Sequence, residues 1–184
     1  MKRSFLVAAL AGTALVSLPF GARAQVSTVV KPVQFGIAAG VAFPTSDLSE
    51  GTNTGFNVTG TLALNPAMIP LGIRIDAAYN RFEFNDDAGV DGNFHFTSVT
   101  GNVVYKIPST AVAPYLIGGA GLYNVGVTFT DVGSDSENHF GWNIGGGISM
   151  PLSGFDAFIE ARYNQVQGDG GSVKFIPVTF GIMF

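Results

Sequence analysis

Apolar residues recur at every second position in stretches of about ten residues, and turn residues separate the stretches. In VQFGIAAGVAF, Val33, Phe35, Ile37, Ala39, Val41 and Phe43 fall on one face. Gln34, Gly36, Ala38, Gly40 and Ala42 fall on the other. A period of two is the signature of a strand, because successive side chains point to opposite faces.

Seven more stretches follow the same rule. FNVTGTLAL sets Phe56, Val58, Leu62 and Leu64 against Asn57, Thr59 and Thr61. LGIRIDAAYN sets Leu71, Ile73, Ile75, Ala77 and Tyr79 against Arg74, Asp76 and Asn80. A fourth stretch, His95 to Lys106, puts Val99, Val103 and Tyr105 opposite Ser98, Thr100 and Asn102. In PYLIGGAGLYNVGV glycines blur the parity, and we take Tyr115, Ile117, Tyr123, Val125 and Val127 as its apolar face. FGWNIGGGISM carries Phe140, Trp142, Ile144, Ile148 and Met150 on one side. FIEARYN carries Ile159, Ala161 and Tyr163 against Glu160, Arg162 and Asn164, and FIPVTFGIMF carries Ile176, Val178, Phe180, Ile182 and Phe184.

Eight strands result, and their connections alternate. PTSDLSEGTNTG, RFEFNDDAGVDGN, TFTDVGSDSENH and QGDGGSVK read as longer polar loops, whereas NPAMIP, IPSTAVAP and PLSGF are short and carry Pro. The first 24 residues stand outside this pattern. Lys2 and Arg3 precede the apolar run FLVAALAGTALVSL, and Ala22-Arg23-Ala24 fits a small-x-small cleavage site. We read residues 1–24 as a cleavable signal peptide and 25–184 as the barrel domain. Without the leader, six basic residues face thirteen acidic ones, a net charge of −7. That balance argues against nucleic acid as a partner. The absence of cysteine excludes thiol chemistry and disulfides, and two histidines leave little for a metal site.

Alternation alone fits a soluble sandwich or a membrane barrel. Three features favour the membrane. The less apolar face is rich in Gly, Ala, Ser, Thr and Asn, which suits the narrow interior of an eight-stranded barrel and would make a poor hydrophobic core. Aromatic residues gather at strand ends: Phe43, Phe56, Tyr79, Tyr123, Phe140, Trp142 and Tyr163 toward the long loops, and Tyr105, Tyr115 and Phe184 toward the short turns. Long loops at one end and short turns at the other are the outer-membrane asymmetry. The expected fold is an all-β, up-and-down antiparallel transmembrane barrel of eight strands.

PYLIGGAGLY, WNIGGGI, FIEARYN and IPVTFGIMF, taken in order, resemble the small eight-stranded outer-membrane barrels related to the OmpA transmembrane domain, OmpX and the opacity proteins. The resemblance covers nearly all of the chain beyond the leader. It implies a bacterial outer-membrane location among lipid and lipopolysaccharide. It also implies that Val178, Phe180, Ile182 and Phe184 form the C-terminal signal read by the barrel-assembly machinery.

Four charges sit on the lumen parity: Arg74 then Asp76 on the third strand, Glu160 then Arg162 on the seventh. Both strands run outward and lie on opposite walls, so the signs are complementary at each level. We expect Arg74–Glu160 and Asp76–Arg162 pairs, or one merged cluster. A lone Arg in mid-membrane lipid would cost about 2–4 kcal/mol. A cross-brace is favoured over a gate or ion relay, because eight strands leave no open channel. Phe82, Phe84, Phe94 and Phe96 share the lumen parity near the second loop and are expected to close the barrel mouth. Hairpin packing explains them more simply than an apolar ligand pocket.

No catalytic, cofactor-binding or metal residues are assigned. His95 and Ser98 are three apart on a strand and face opposite sides. His139 near Ser134 and Ser136 is loop proximity without a triad. The loops carry Asp47, Glu50, Glu83, Asp86, Asp87, Asp91, Asp131, Asp135, Glu137 and Asp169. They read as a solvated acidic rim with loose divalent-cation bridging to lipid phosphates, since neither NDDAGVDG nor DVGSDSEN has ordered ligand spacing. The resulting expectation is a monomeric, non-enzymatic barrel in envelope integrity or adhesion, with a narrow pore and a lipid-modifying enzyme as alternatives.

Overall fold

Eight strands with one apolar face each have only one way to satisfy their backbone in lipid, which is to close on themselves. The structure, a computed structural model, does so. It describes residues 31–66, 70–85, 92–107, 112–129, 133–168 and 170–184, without the side chains of 129, 133 and 134. The segment read as a signal peptide lies outside the described residues, as do Asp86, Asp87, Asp91, Asp131 and Asp169. The elements are β1 (Val33–Thr45), α1 (Asp47–Gly51), β2 (Gly55–Leu64), β3 (Leu71–Glu83), β4 (Gly92–Lys106), β5 (Ala113–Phe129), β6 (Gly133–Pro151), β7 (Asp156–Gly168) and β8 (Gly171–Met183). Each strand pairs antiparallel with the next, and β8 pairs with β1 to close the barrel.

Paired residues followed once around the wall lead from Phe35 through Leu62, Ile75, Gly101, Ala120, Trp142, Gln165 and Lys174 to Thr45. The path returns to β1 ten residues beyond its start. A stagger of this size tilts eight strands by about 40° and leaves a lumen that side chains fill.

The apolar residues are outside. Phe35 (64% exposed), Leu122 (64%) and Leu116 (60%) face outward, while Arg74, Asp76 and Glu160 are buried. An apolar surface of this extent is stable only against lipid. On β3 the outward band runs from Leu71 to Tyr79, and at the C-terminus from Ile176 to Phe184. Nine tilted residues match the thickness of the hydrocarbon core.

Three expectations need correction. The parity taken for PYLIGGAGLYNVGV is reversed: Tyr115, Ile117 and Tyr123 are buried in the lumen, and Leu116 and Leu122 face lipid. Tyr115 and Tyr123 therefore leave the aromatic belts. The cause is size matching across strands. Gly147, paired with Tyr115, leaves room for the Tyr115 ring, and Gly141 leaves room for the Tyr123 ring. Second, TFTDVGSDSENH is mostly strand, because β5 and β6 stay paired out to Phe129 and Gly133. QGDGGSVK is likewise mostly strand, with Gly168 paired to Gly171. Third, PTSDLSEGTNTG is not merely solvated. It contains α1, whose Leu48 is buried against Ala42 and Phe175. Pro177 sits in a continuous register without a bulge, and the β7–β8 ladder is interrupted opposite it, at Arg162 and Tyr163. There the Arg162 carbonyl accepts a hydrogen bond from the Asn164 side-chain amide at 3.4 Å.

The two faces of the wall differ in their tolerance of volume. A Cβ at lumen-facing Gly181 would overlap the Phe158 ring and the Ala38 Cβ, whereas one at lipid-facing Gly60 meets nothing. Gly181→Ala is expected to destabilise the refolded barrel by about 1–3 kcal/mol. Gly60→Ala should stay within about 0.5 kcal/mol of the parent. Urea unfolding in lipid vesicles checks both.

Candidate functional site: a braced and capped lumen

The lumen is built in layers. Alternation carries Arg74 and Asp76 inward from β3, and Glu160 and Arg162 inward from β7. Barrel order places those strands on opposite walls. The four charges merge into one cluster. Arg74 Nη2 donates to Glu160 Oε1 at 2.8 Å, and its Nε donates to Asp76 Oδ2 at 3.0 Å. Arg162 Nη1 lies 2.9 Å from Asp76 Oδ2, and its Nε bonds Glu160 Oε1. Each carboxylate is thus shared by two guanidiniums. Both expected cross-lumen pairs, Arg74–Glu160 and Asp76–Arg162, are present within one merged cluster, together with two pairs along the strands.

Neutral groups supply the remaining hydrogen bonds. Thr61 Oγ1 donates to Asp76 Oδ1, and Asn102 Nδ2 to Asp76 Oδ2 at 2.8 Å. Tyr115 Oη donates to Glu160 Oε2 at 2.8 Å. The Phe158 ring lies 5.9 Å from the Arg74 guanidinium carbon. Buried charges persist only where partners replace water, and this cluster meets that condition from five strands: β2, β3, β4, β5 and β7.

A small cavity lies on each side of the cluster. Toward the short turns, about 40 Å³ is lined by residues including Gln34, Lys106, Asp156 and Phe158. Toward the loops, about 30 Å³ is lined by residues including Asn57, Asn80, Thr100 and Asn164. Above that, Phe82 and Phe96 are fully buried and meet edge to face at 5.7 Å between centroids. Phe175 packs on both, at 5.6 and 5.1 Å. Phe84 and Phe94 form a second edge pair at 5.2 Å. The four rings singled out in the sequence thus sit together at the mouth. Phe175, Val166 and Leu48 complete the layer and were missed. Phe175 has the lumen parity of its strand, which is the signal that would have found it.

The first loop is strapped over this aromatic layer. Thr52 bridges to Phe84, the Asn53 amide donates to the Glu83 carbonyl at 2.8 Å, and Asn85 Nδ2 donates to the Glu50 carbonyl at 2.8 Å. At the other end, Val178, Phe180 and Phe184 are exposed on the outer surface. Phe184 exchanges backbone hydrogen bonds with Phe35. Among the described residues, no group of three or more His, Asp or Glu is placed to hold a metal ion.

A closed eight-stranded wall, apolar outside and polar within, defines a transmembrane β-barrel of the bacterial outer membrane. The chain belongs to the outer membrane protein beta-barrel domain family, whose model matches residues 8–184. No curated protein matches the sequence. Solved structures share the fold at low identity. Neisserial surface protein A is 19% identical, covers 83% of this chain and 96% of its own, and superposes with a TM-score of 0.67. A major outer membrane protein from Thermus thermophilus is 14% identical, covering 83% and 98%, with a TM-score of 0.54. Ail, the attachment invasion locus protein of Yersinia pestis, crystallised with the heparin analogue sucrose octasulfate, is 24% identical, covering 83% and 99%, with a TM-score of 0.52.

The cluster makes a sharp energetic prediction. Glu160→Ala leaves two buried guanidiniums sharing one carboxylate, and should destabilise the barrel by about 3–5 kcal/mol. Replacing all four charges with apolar residues of similar volume (Arg74→Met, Asp76→Leu, Glu160→Met and Arg162→Met) should cost less than that single change. Unfolding midpoints of the two variants in urea test the ordering.

Proposed function

We propose that this protein is a closed, non-conducting outer-membrane barrel with a structural and surface-interaction role. The barrel anchors and braces, and the acidic outer rim meets other molecules. One observation carries this reading: a neutralised charge cluster spans the lumen between cavities of about 40 and 30 Å³, with an aromatic layer above it. Such cavities hold one or two waters each, not a hydrated ion in transit. A pore would require the brace and the aromatic layer to open together.

Lipid-modifying chemistry lacks support in the geometry. His95 stacks on Tyr79 at the outer surface, while Ser98 is buried in the lumen, so they cannot act as base and nucleophile. His139 Nε2 lies 3.6 Å from Glu137 Oε2, whose side chain is largely exposed. The remaining elements of the proposal are export with removal of residues 1–24, assembly through the outward C-terminal residues Val178, Phe180, Ile182 and Phe184, and a monomeric barrel among lipopolysaccharide. Loose divalent bridging falls to rim carboxylates such as Asp47, Glu50 and Glu137.

Planar bilayers test the central claim. The purified protein should produce no steady single-channel steps, and Glu160→Ala should stay closed because the layer of Phe82, Phe96 and Phe175 still seals the mouth. Steady conductance from the unmodified protein would refute the reading. Retention of expressing cells on an immobilised basic matrix protein should fall when the β5–β6 hairpin is trimmed.

A further inference from the structure

The few cations of this acidic chain are placed unevenly. Of nine Lys and Arg, three lie in residues 1–24, Arg74 and Arg162 are in the lumen cluster, and Lys31 and Lys106 are at the short-turn end. Arg81 and Lys174 alone remain for the outer side. Both project toward lipid, two residues beyond the ends of the outward apolar bands at Tyr79 and Ile176. The stagger of the barrel sets them at the same height, at the boundary between acyl chains and headgroups.

Arg81 stands in a constructed surface. It pairs across the sheet with Phe56 on β2 and with His95 on β4. Phe56 meets Tyr79 at 6.0 Å, and Tyr79 stacks with His95 at 6.3 Å and an interplanar angle of 27°. The His95 ring lies over Gly126, where any Cβ would collide with it, so the missing side chain on β5 is what lets the imidazole lie flat. Within this surface the Arg81 Nε is buried and has no hydrogen-bond partner among the described residues. The carboxylate of Glu83, its ion-pair partner among the described residues, is 4.0 Å from the guanidinium and 74% exposed, which makes a weak ion pair. The Arg81 side chain is 41% exposed, and its Nη groups, held at the outer headgroup level beside aromatic rings, can donate to two oxygens of a phosphate.

We propose that Arg81, with His95 beside it, binds a phosphate of an outer-leaflet glycolipid, while Phe56 and Tyr79 pack its acyl chains. The proposal rests on the outer-membrane reading, but it does not depend on whether the lumen conducts. Arg81 supplies the charge and the fork, and His95 closes one side of the phosphate position.

The test uses the barrel refolded in zwitterionic micelles, with unfolding followed by the electrophoretic shift between folded and unfolded forms. The probes are bisphosphorylated lipid A, the same lipid with both phosphates removed, and inorganic phosphate. Bisphosphorylated lipid A should raise the unfolding temperature, and neither of the other two should do so at equal concentration. Arg81→Gln should need about tenfold more lipid for half of the shift, the loss of one charge-assisted pair of hydrogen bonds. Lys31→Gln, at the opposite end of the barrel, should respond as the parent does. An equal shift from the dephosphorylated lipid or from phosphate alone would overturn the proposal, and so would an unchanged response in Arg81→Gln or a loss in Lys31→Gln. The lipid comparison uses the unmodified protein, so it decides the matter even if a variant refolds poorly. Conductance measurements are independent of it.

Discussion

Closure of the sheet is the constraint from which the other features follow. Lipid offers no hydrogen bonds to a free strand edge, so β8 must return to β1. With eight strands and a ten-residue stagger, the enclosed space is about one layer of side chains across. Water cannot stand in such a lumen as a continuous column. Inward polar groups therefore pair with one another: Asn57 with Asn80 on the adjacent strand, and Tyr123 with Asn164 and Asn143 with Asn102 between strands two apart.

The four charges are the strictest case. Moving outward, β3 places Arg74 before Asp76, while β7 places Glu160 before Arg162. The order of signs is inverted between the two walls. Each guanidinium consequently has one carboxylate on its own strand and another across the lumen. Had both strands carried the same order, each level would have set like charges face to face. The cluster is neutral as a whole, which keeps its desolvation tolerable. Because its members come from distant strands, the same contacts also hold the barrel's cross-section.

Seven of the eight strands were legible because one of their faces is apolar almost without interruption. In β5 the apolar residues are split between faces. Leu116 and Leu122 look out, while Tyr115, Ile117 and Tyr123 look in. Lumen position there is decided by the neighbouring strand, whose inward glycines Gly141 and Gly147 yield the space that the tyrosines fill. The run GWNIGGGI held that information, but it becomes readable only once β5 and β6 are known to be partners. Loop 1 was illegible for a similar reason. Leu48 is a single apolar residue in a polar segment, and its burial depends on Phe175 and Val166, more than a hundred residues away. The charge cluster was legible because parity and strand count alone bring its members together. The choice between separate pairs and one cluster needed the stagger.

Layering assigns different tasks to the two surfaces of the wall. The lumen is occupied from the short turns outward by a small cavity, the charge brace, a second cavity and the aromatic layer under α1. Nothing in that stack can be removed without stranding a charge or opening a void, so it has little freedom to take on a ligand. The outer surface carries no such burden. Its boundary residues, Phe56, Tyr79, Arg81 and His95, lie level with the aromatic layer but outside the wall, and they pack side by side across β2, β3 and β4. A substitution there alters what the barrel meets without disturbing what holds it closed. Selection for recognition can therefore act on the rim and the headgroup boundary while selection for stability acts on the lumen, and the wall of β3 and β4 keeps the two apart.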